Sequence, residues 1–99
     1  MHVIIWEFVV SEYTMDRFVA AYGAEGDWAE LFRRSDGYLG TELLRSSYDS
    51  HLFLTIDRWQ SPSAFEEFCE EFAEVYQILD KSLEGLSSSE KKVGVFSVM

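Results

Sequence analysis

An α+β fold built on one antiparallel sheet follows from three features of the sequence. Four short segments are rich in β-branched and aromatic residues, helical periodicity is confined to the stretches between them, and 99 residues suffice for one hydrophobic core but not two. The first segment, Val3 to Val10 (VIIWEFVV), is apolar at both parities, as expected of a strand covered on both faces. Met15, Phe18, Val19 and Tyr22 then fall at helical spacing, with Thr14 as a candidate N-cap and Gly23 just past the end. After Gly26, Asp27 and Glu30 have the spacing of a capping box, and Trp28, Leu31 and Phe32 share one face of a second short helix.

Asp36-Gly37 marks a turn. Tyr38 to Ser46 and Leu52 to Trp59 flank the polar stretch Ser47 to His51 and read as an antiparallel hairpin. Ser61-Pro62-Ser63 opens the clearest helix, expected to run to Leu83. Phe65, Phe68, Cys69, Phe72, Tyr76 and Leu79 form its apolar face, and Glu66, Glu67, Glu70, Glu71 and Glu74 its solvated one. Gly85 and Ser87 to Ser89 end that helix, and Val93 to Val98 reads as the last strand. The order β-α-(α)-β-β-α-β is the ferredoxin-like arrangement, a single domain over residues 1–99 with helices on one face of the sheet.

Helices on one face leave the other open. Strand one places Val3, Ile5 and Val9 on one side and Ile4, Trp6, Phe8 and Val10 on the other, so a lone subunit would expose an apolar sheet face. A second copy packed sheet to sheet is the economical cover, which predicts a two-fold homodimer.

Eighteen acidic against eight basic residues give a formal charge of -10, a field that repels nucleic-acid phosphates and anionic lipid surfaces. No apolar run approaches the roughly 18 residues of a membrane span, and no basic n-region precedes the first strand. The single cysteine, Cys69, cannot form an internal disulfide, so a cytoplasmic location is expected. His2 and His51 lack a second ligand at metal spacing, and Gly23 to Gly26 does not match a phosphate-binding loop. Neither a metal nor a nucleotide cofactor is expected.

The first strand (VIIWEF), the run LFRRSDGYLGTELLR from Leu31 to Arg45, and LTIDRWQSPSAFEEF from Leu54 to Phe68 together resemble the antibiotic biosynthesis monooxygenase-like group of the dimeric α+β barrel superfamily. The most characteristic feature is a strand ending in Trp59, a Ser-Pro helix start and an aromatic-rich helix. The resemblance spans nearly the whole chain and implies a pocket between the sheet and the helices of each subunit. It also implies activities such as cofactor-independent oxidation of phenolic polyketides, quinol oxidation or haem degradation. Haem-degrading relatives carry a histidine on the second main helix and an asparagine on the first strand. Here the stretch from Ser63 to Leu83 has no histidine and the first strand no asparagine, which argues against haem degradation.

Within that resemblance, Trp59 corresponds to a pocket-lining tryptophan of catalytic relatives, while a strand-end Trp packed under a helix is the simpler alternative. Glu7 interrupts an apolar strand and is the candidate general base if unpaired; an ion pair with an arginine across the sheet is the alternative. Arg58, facing away from Asp57, would stabilise a phenolate, or else pair with Glu42 on the neighbouring strand. Trp6, Phe72 and Tyr76 are the candidate walls for a flat ligand. Cys69, on an apolar helix face, reads as a small hydrophobe.

Two functions follow. One is a cofactor-independent monooxygenase acting on an electron-rich aromatic such as a phenol or hydroquinone. The other is a non-catalytic dimeric module that binds a small apolar ligand or fills its own pocket. A cavity of roughly a few hundred Å³ beside Trp59 would favour the first and close-packed aromatics there the second.

Overall fold

A computed structural model describes all 99 residues. The chain runs β1 (His2–Val9), α1 (Met15–Tyr22), α2 (Asp27–Phe32), β2 (Tyr38–Arg45), β3 (Leu52–Trp59), α3 (Pro62–Glu71), α4 (Ala73–Ser82) and β4 (Ser89–Ser97). The strands form one sheet in the order β2-β3-β1-β4, antiparallel at every pairing, which is the ferredoxin-like topology the sequence predicts.

Register decides which side chains meet, because directly paired residues of antiparallel strands share a face. Phe8 pairs with Phe53, Trp6 with Thr55 and Ile4 with Asp57. Across the hairpin Thr41 pairs with Asp57 and Tyr38 with Trp59. All of these lie on the helix-covered side. There the core joins Ile4, Phe8, Phe53 and Trp59 to Phe18, Tyr22, Trp28, Leu31, Phe32 and Phe68. Phe18 stacks on Tyr22 at 4.4 Å between ring centroids, and Phe32 meets Phe68 edge-on at 5.3 Å.

Two bulges adjust this register. Leu39 is an extra residue between the Tyr38 and Gly40 pairings, and Gly40 takes a φ of 139°, open to glycine and strained for L side chains. Val93 is the extra residue on β4. Gly37 permits a close approach of another kind: a Cβ there would lie 2.5 Å from the Ala64 Cβ, so α3 packs directly against the turn into β2.

The helix starts are only partly as expected. Ser61 caps α3, accepting from the Ala64 N–H at 3.1 Å with Pro62 in the first turn. Thr14 makes no cap bond; its hydroxyl instead donates to the Leu86 carbonyl at 2.7 Å, tying α1 to the segment after α4. Gly26, not Asp27, precedes α2, and Val19 is 40% exposed rather than part of the core.

The long helix predicted to run to Leu83 is instead two. Phe72 leaves helical torsions at φ −111° and ψ 22°, while its N–H still donates to Phe68 O and its carbonyl accepts from Tyr76 N–H, both at 2.9 Å. Because these bonds bridge the break, the apolar spacing continues from Phe65 to Leu79 without interruption. β4 begins earlier than its apolar stretch suggests, because Ser89 to Lys92 are paired by β1 from Val9 to Trp6.

The opposite face of the sheet carries Ile5, Glu7, Val9, Leu44, Leu54, Ile56, Arg58 and Phe96. None of its apolar residues joins the core cluster, and Val9, Leu44 and Phe96 are 38%, 41% and 47% exposed. No helix of the structure is long and apolar enough to cross a membrane.

Candidate active site

Between the sheet and the helices lies a cavity of about 130 Å³. Its floor is the inner face of three strands: Trp6 and Phe8 from β1, Thr41 from β2, Thr55 and Asp57 from β3. Tyr22, Trp28 and Phe32 wall it from α1 and α2, Tyr76 and Asp80 from α4, and Glu90 from β4. The aromatic walls are in mutual contact, with Trp28 and Tyr76 at 4.9 Å between ring centroids. Such walls suit a flat, apolar ligand, and the volume holds about one six-membered ring.

Asp57 is the reactive feature of the floor. Burial pushes its carboxyl up from 3.8 to about 6, against the opposing effect of the Thr41 hydroxyl bonded to it. Thr41 Oγ1 donates to Asp57 Oδ1 at 2.6 Å, and Tyr38 Oη lies 2.6 Å from Thr41 Oγ1. Thr41 has one proton, and it is committed to the carboxylate, so the Tyr38 hydroxyl donates to Thr41. The relay runs Tyr38 to Thr41 to Asp57 and fixes the orientation of the carboxylate. Thr41→Val should therefore move the apparent pKa of Asp57 above about 6, and the carboxyl ¹³C titration of the variant is the measurement that checks it.

The walls supply donors. Burial, and after it the neighbouring groups Cys69, Asp80, Asp57 and Glu90, push the Tyr76 phenol up to about 12, so it is a neutral hydrogen-bond donor at physiological pH. Burial also raises Tyr22. The Trp28 indole N–H is buried without a well-formed hydrogen bond, and its interaction with the Tyr22 hydroxyl opposes the effect of burial on that phenol. No group of three or more His, Cys, Asp or Glu side chains is arranged to hold a metal ion.

Of the residues singled out in the sequence, Trp6 and Tyr76 line this cavity. Phe72 packs against the adjoining core, under the Arg34 guanidinium at 6.0 Å, without lining it. Trp59 lies on the correct face but is fully buried, 5.2–5.4 Å from the ring centroids of Phe32, Tyr38, Phe65 and Phe68. Around Trp59 the aromatics are close-packed; the open space lies further along the sheet, at Asp57. The Trp59 indole N–H has no hydrogen-bond partner either.

Glu7 and Arg58 are on the opposite face of the sheet. Glu7 stands across from Leu54 and Lys91, with no arginine facing it. Arg58 forms the alternative ion pair, with Glu42 at 2.5 Å. Side-chain alternation keeps both away from the cavity. The same alternation points to Asp57, two residues before Trp59 and therefore on its face. Thr41 is harder to find, because its pairing depends on the bulge at Leu39.

The sequence model of the antibiotic biosynthesis monooxygenase family matches residues 1–73. The chain belongs to this family. Residues beyond the match carry most of α4 and all of β4, which complete the fold of this family member. No curated protein matches the sequence. Among solved structures, it is similar to SnoaB from Streptomyces nogalater, a cofactor-independent oxygenase. The two share 18% identity at a TM-score of 0.73, over 99% of this chain and 92% of that one. Rv0793 from Mycobacterium tuberculosis is 17% identical at a TM-score of 0.72, over 99% and 94%. A Deinococcus radiodurans protein placed in the same family is 16% identical at 0.71, over 100% and 93%. At these identities the likeness establishes the fold.

Proposed function

We propose that this monooxygenase-family protein oxygenates an electron-rich, single-ring aromatic, such as a phenol or hydroquinone, without a cofactor, using Asp57 as general base. The observation that carries this reading is a carboxyl of raised pKa on the floor of an aromatic-walled cavity. SnoaB, named as a cofactor-independent oxygenase, supports the reaction class.

The chemistry constrains the substrate. With no external reductant, the ring must supply every electron that O2 takes up: a phenol plus O2 gives a quinone plus water, one oxygen atom entering the ring and the other leaving as water. Deprotonation raises the electron density of the ring enough for it to reduce O2. A phenol of pKa about 10 gives its proton to an ordinary carboxylate only against about 8 kcal/mol. Holding Asp57 at about 6 removes roughly 3 kcal/mol of that. Hydrogen bonds from Tyr76 and Trp28 to the phenolate oxygen would lower the remainder. Residues 1–99 act as one domain in this reading, and the free Cys69 suits a reducing, cytoplasmic setting.

The uncovered sheet face around Ile5, Leu54 and Ile56 supports a homodimer. Light scattering at micromolar concentration should give twice the 11.5 kDa chain mass, and a monodisperse monomer would overturn the dimer.

The activity is tested by oxygen uptake over a panel of phenols and hydroquinones, with ¹⁸O2 to follow the label. Uptake with one label per quinone is the expected result. Saturable phenol binding with no uptake would leave a ligand-binding module, a reading that the close packing at Trp59 favours.

A further inference from the structure

The cavity does not end at its aromatic walls. A second hollow of about 280 Å³ adjoins it, and Tyr22, Asp80 and Glu90 line both. The outer hollow is polar, bordered by Ser87, Ser88, Ser89 and Glu84. At the junction stand two carboxylates, and no lysine or arginine lines either space. Lys92, on the same strand as Glu90, lies over the Trp6 ring at 5.6 Å. The inner chamber also holds the buried indole N–H of Trp28, which has no well-formed hydrogen bond and interacts with the Tyr22 hydroxyl that lines both spaces.

Each part constrains a different part of a ligand. The inner chamber has room for one ring, with a donor and the Asp57 carboxylate to meet a hydroxyl. The junction presents negative charge, which attracts an ammonium and repels a carboxylate, sulfate or phosphate. The outer hollow, lined by hydroxyls, accepts a polar extension. We propose that the substrate is a cationic phenol: a single hydroxylated ring in the inner chamber carrying an amine-bearing substituent that places its ammonium between Asp80 and Glu90. This rests on the phenol-oxygenating reading and narrows it to a charge class. It excludes acidic aromatics, which share the ring and lack the cation.

The test is a matched set of binding probes followed by quenching of the cavity tryptophans, Trp6 and Trp28. Tyramine, 4-ethylphenol and 4-hydroxyphenylacetate keep the phenol and change the substituent from cation to neutral to anion. Tyramine should bind about tenfold more tightly than 4-ethylphenol at low salt, and 4-hydroxyphenylacetate should bind most weakly. In the Asp80→Asn, Glu90→Gln double variant, altered at two exposed positions, that preference should fall to within about threefold. Equal affinity for tyramine and 4-ethylphenol in the unaltered protein would overturn the charge assignment and leave the phenol site standing. A tyramine preference that survives the double variant would likewise remove Asp80 and Glu90 from the role. Absence of saturable binding by all three would overturn the phenol site, and the charge assignment with it.

Discussion

Replacing Asp57 with Asn should make the protein more stable and inactive. The stability change follows from linkage. The native carboxyl keeps its proton up to about pH 6, whereas in the unfolded chain it titrates near 3.8. Between these values the native state binds more protons than the unfolded state, so stability falls as pH rises through that window. Above pH 6 the full penalty is present, about 3 kcal/mol at most. Asn carries no charge, and its carbonyl oxygen can still accept from Thr41. At pH 8 the variant should gain about 1–3 kcal/mol, raising Tm by roughly 5–15 °C, while at pH 3 it should gain little. Oxygen uptake should fall by about 10²- to 10⁴-fold, the usual contribution of a general base. Thermal unfolding at the two pH values, alongside uptake on any active phenol, checks both halves. A destabilised variant at pH 8 would mean that Asp57 makes a structural contribution the fold needs.

Trp59→Ala should be the most damaging single substitution at the end of β3. The side chain has no exposed surface and touches four aromatic rings drawn from α2, β2 and α3. Truncation leaves a cavity among them, at a cost of about 3–5 kcal/mol, measurable as a drop in the urea midpoint. Trp59→Phe keeps most of that volume and should leave phenol binding in the neighbouring cavity nearly unchanged. If Trp59→Phe abolishes phenol binding without loss of stability, Trp59 contacts the ligand.

These two residues show what is legible in the sequence. The bounds of β3, Leu52 to Trp59, follow from its composition and the polar stretch before it. The two faces of β1 follow from parity alone, which already separates Glu7 from Trp6 and Phe8. Glu7 and Arg58 stand out by chemical type, and the register places both on the face opposite the cavity. A carboxylate in an apolar strand draws attention as a base, yet that strand is apolar on both sides, and only the parity of Trp59 and Asp57 identifies the helix-covered one.

Other parts of the site depend on tertiary structure. Asp80 and Glu90 are 10 residues apart on different elements and come to line the same cavity because β4 pairs with β1 over Ser89 to Lys92. Those polar residues carry little strand propensity, and their conformation is set by the partner strand. The break at Phe72 is invisible for a related reason: the hydrogen bonds on either side of it persist, and the apolar spacing passes through unaltered.

The measurement closest to the proposed chemistry requires no knowledge of the substrate: a ¹³C NMR titration of the Asp57 carboxyl in the free protein and with 4-ethylphenol bound. A midpoint near 6 in the free protein that is displaced when the phenol binds, as its hydroxyl donates to the carboxylate and water leaves the cavity, is the expected result. A midpoint near 3.8 that the phenol leaves unmoved would show a solvated carboxylate outside the site and contradict the assignment of Asp57 as the base.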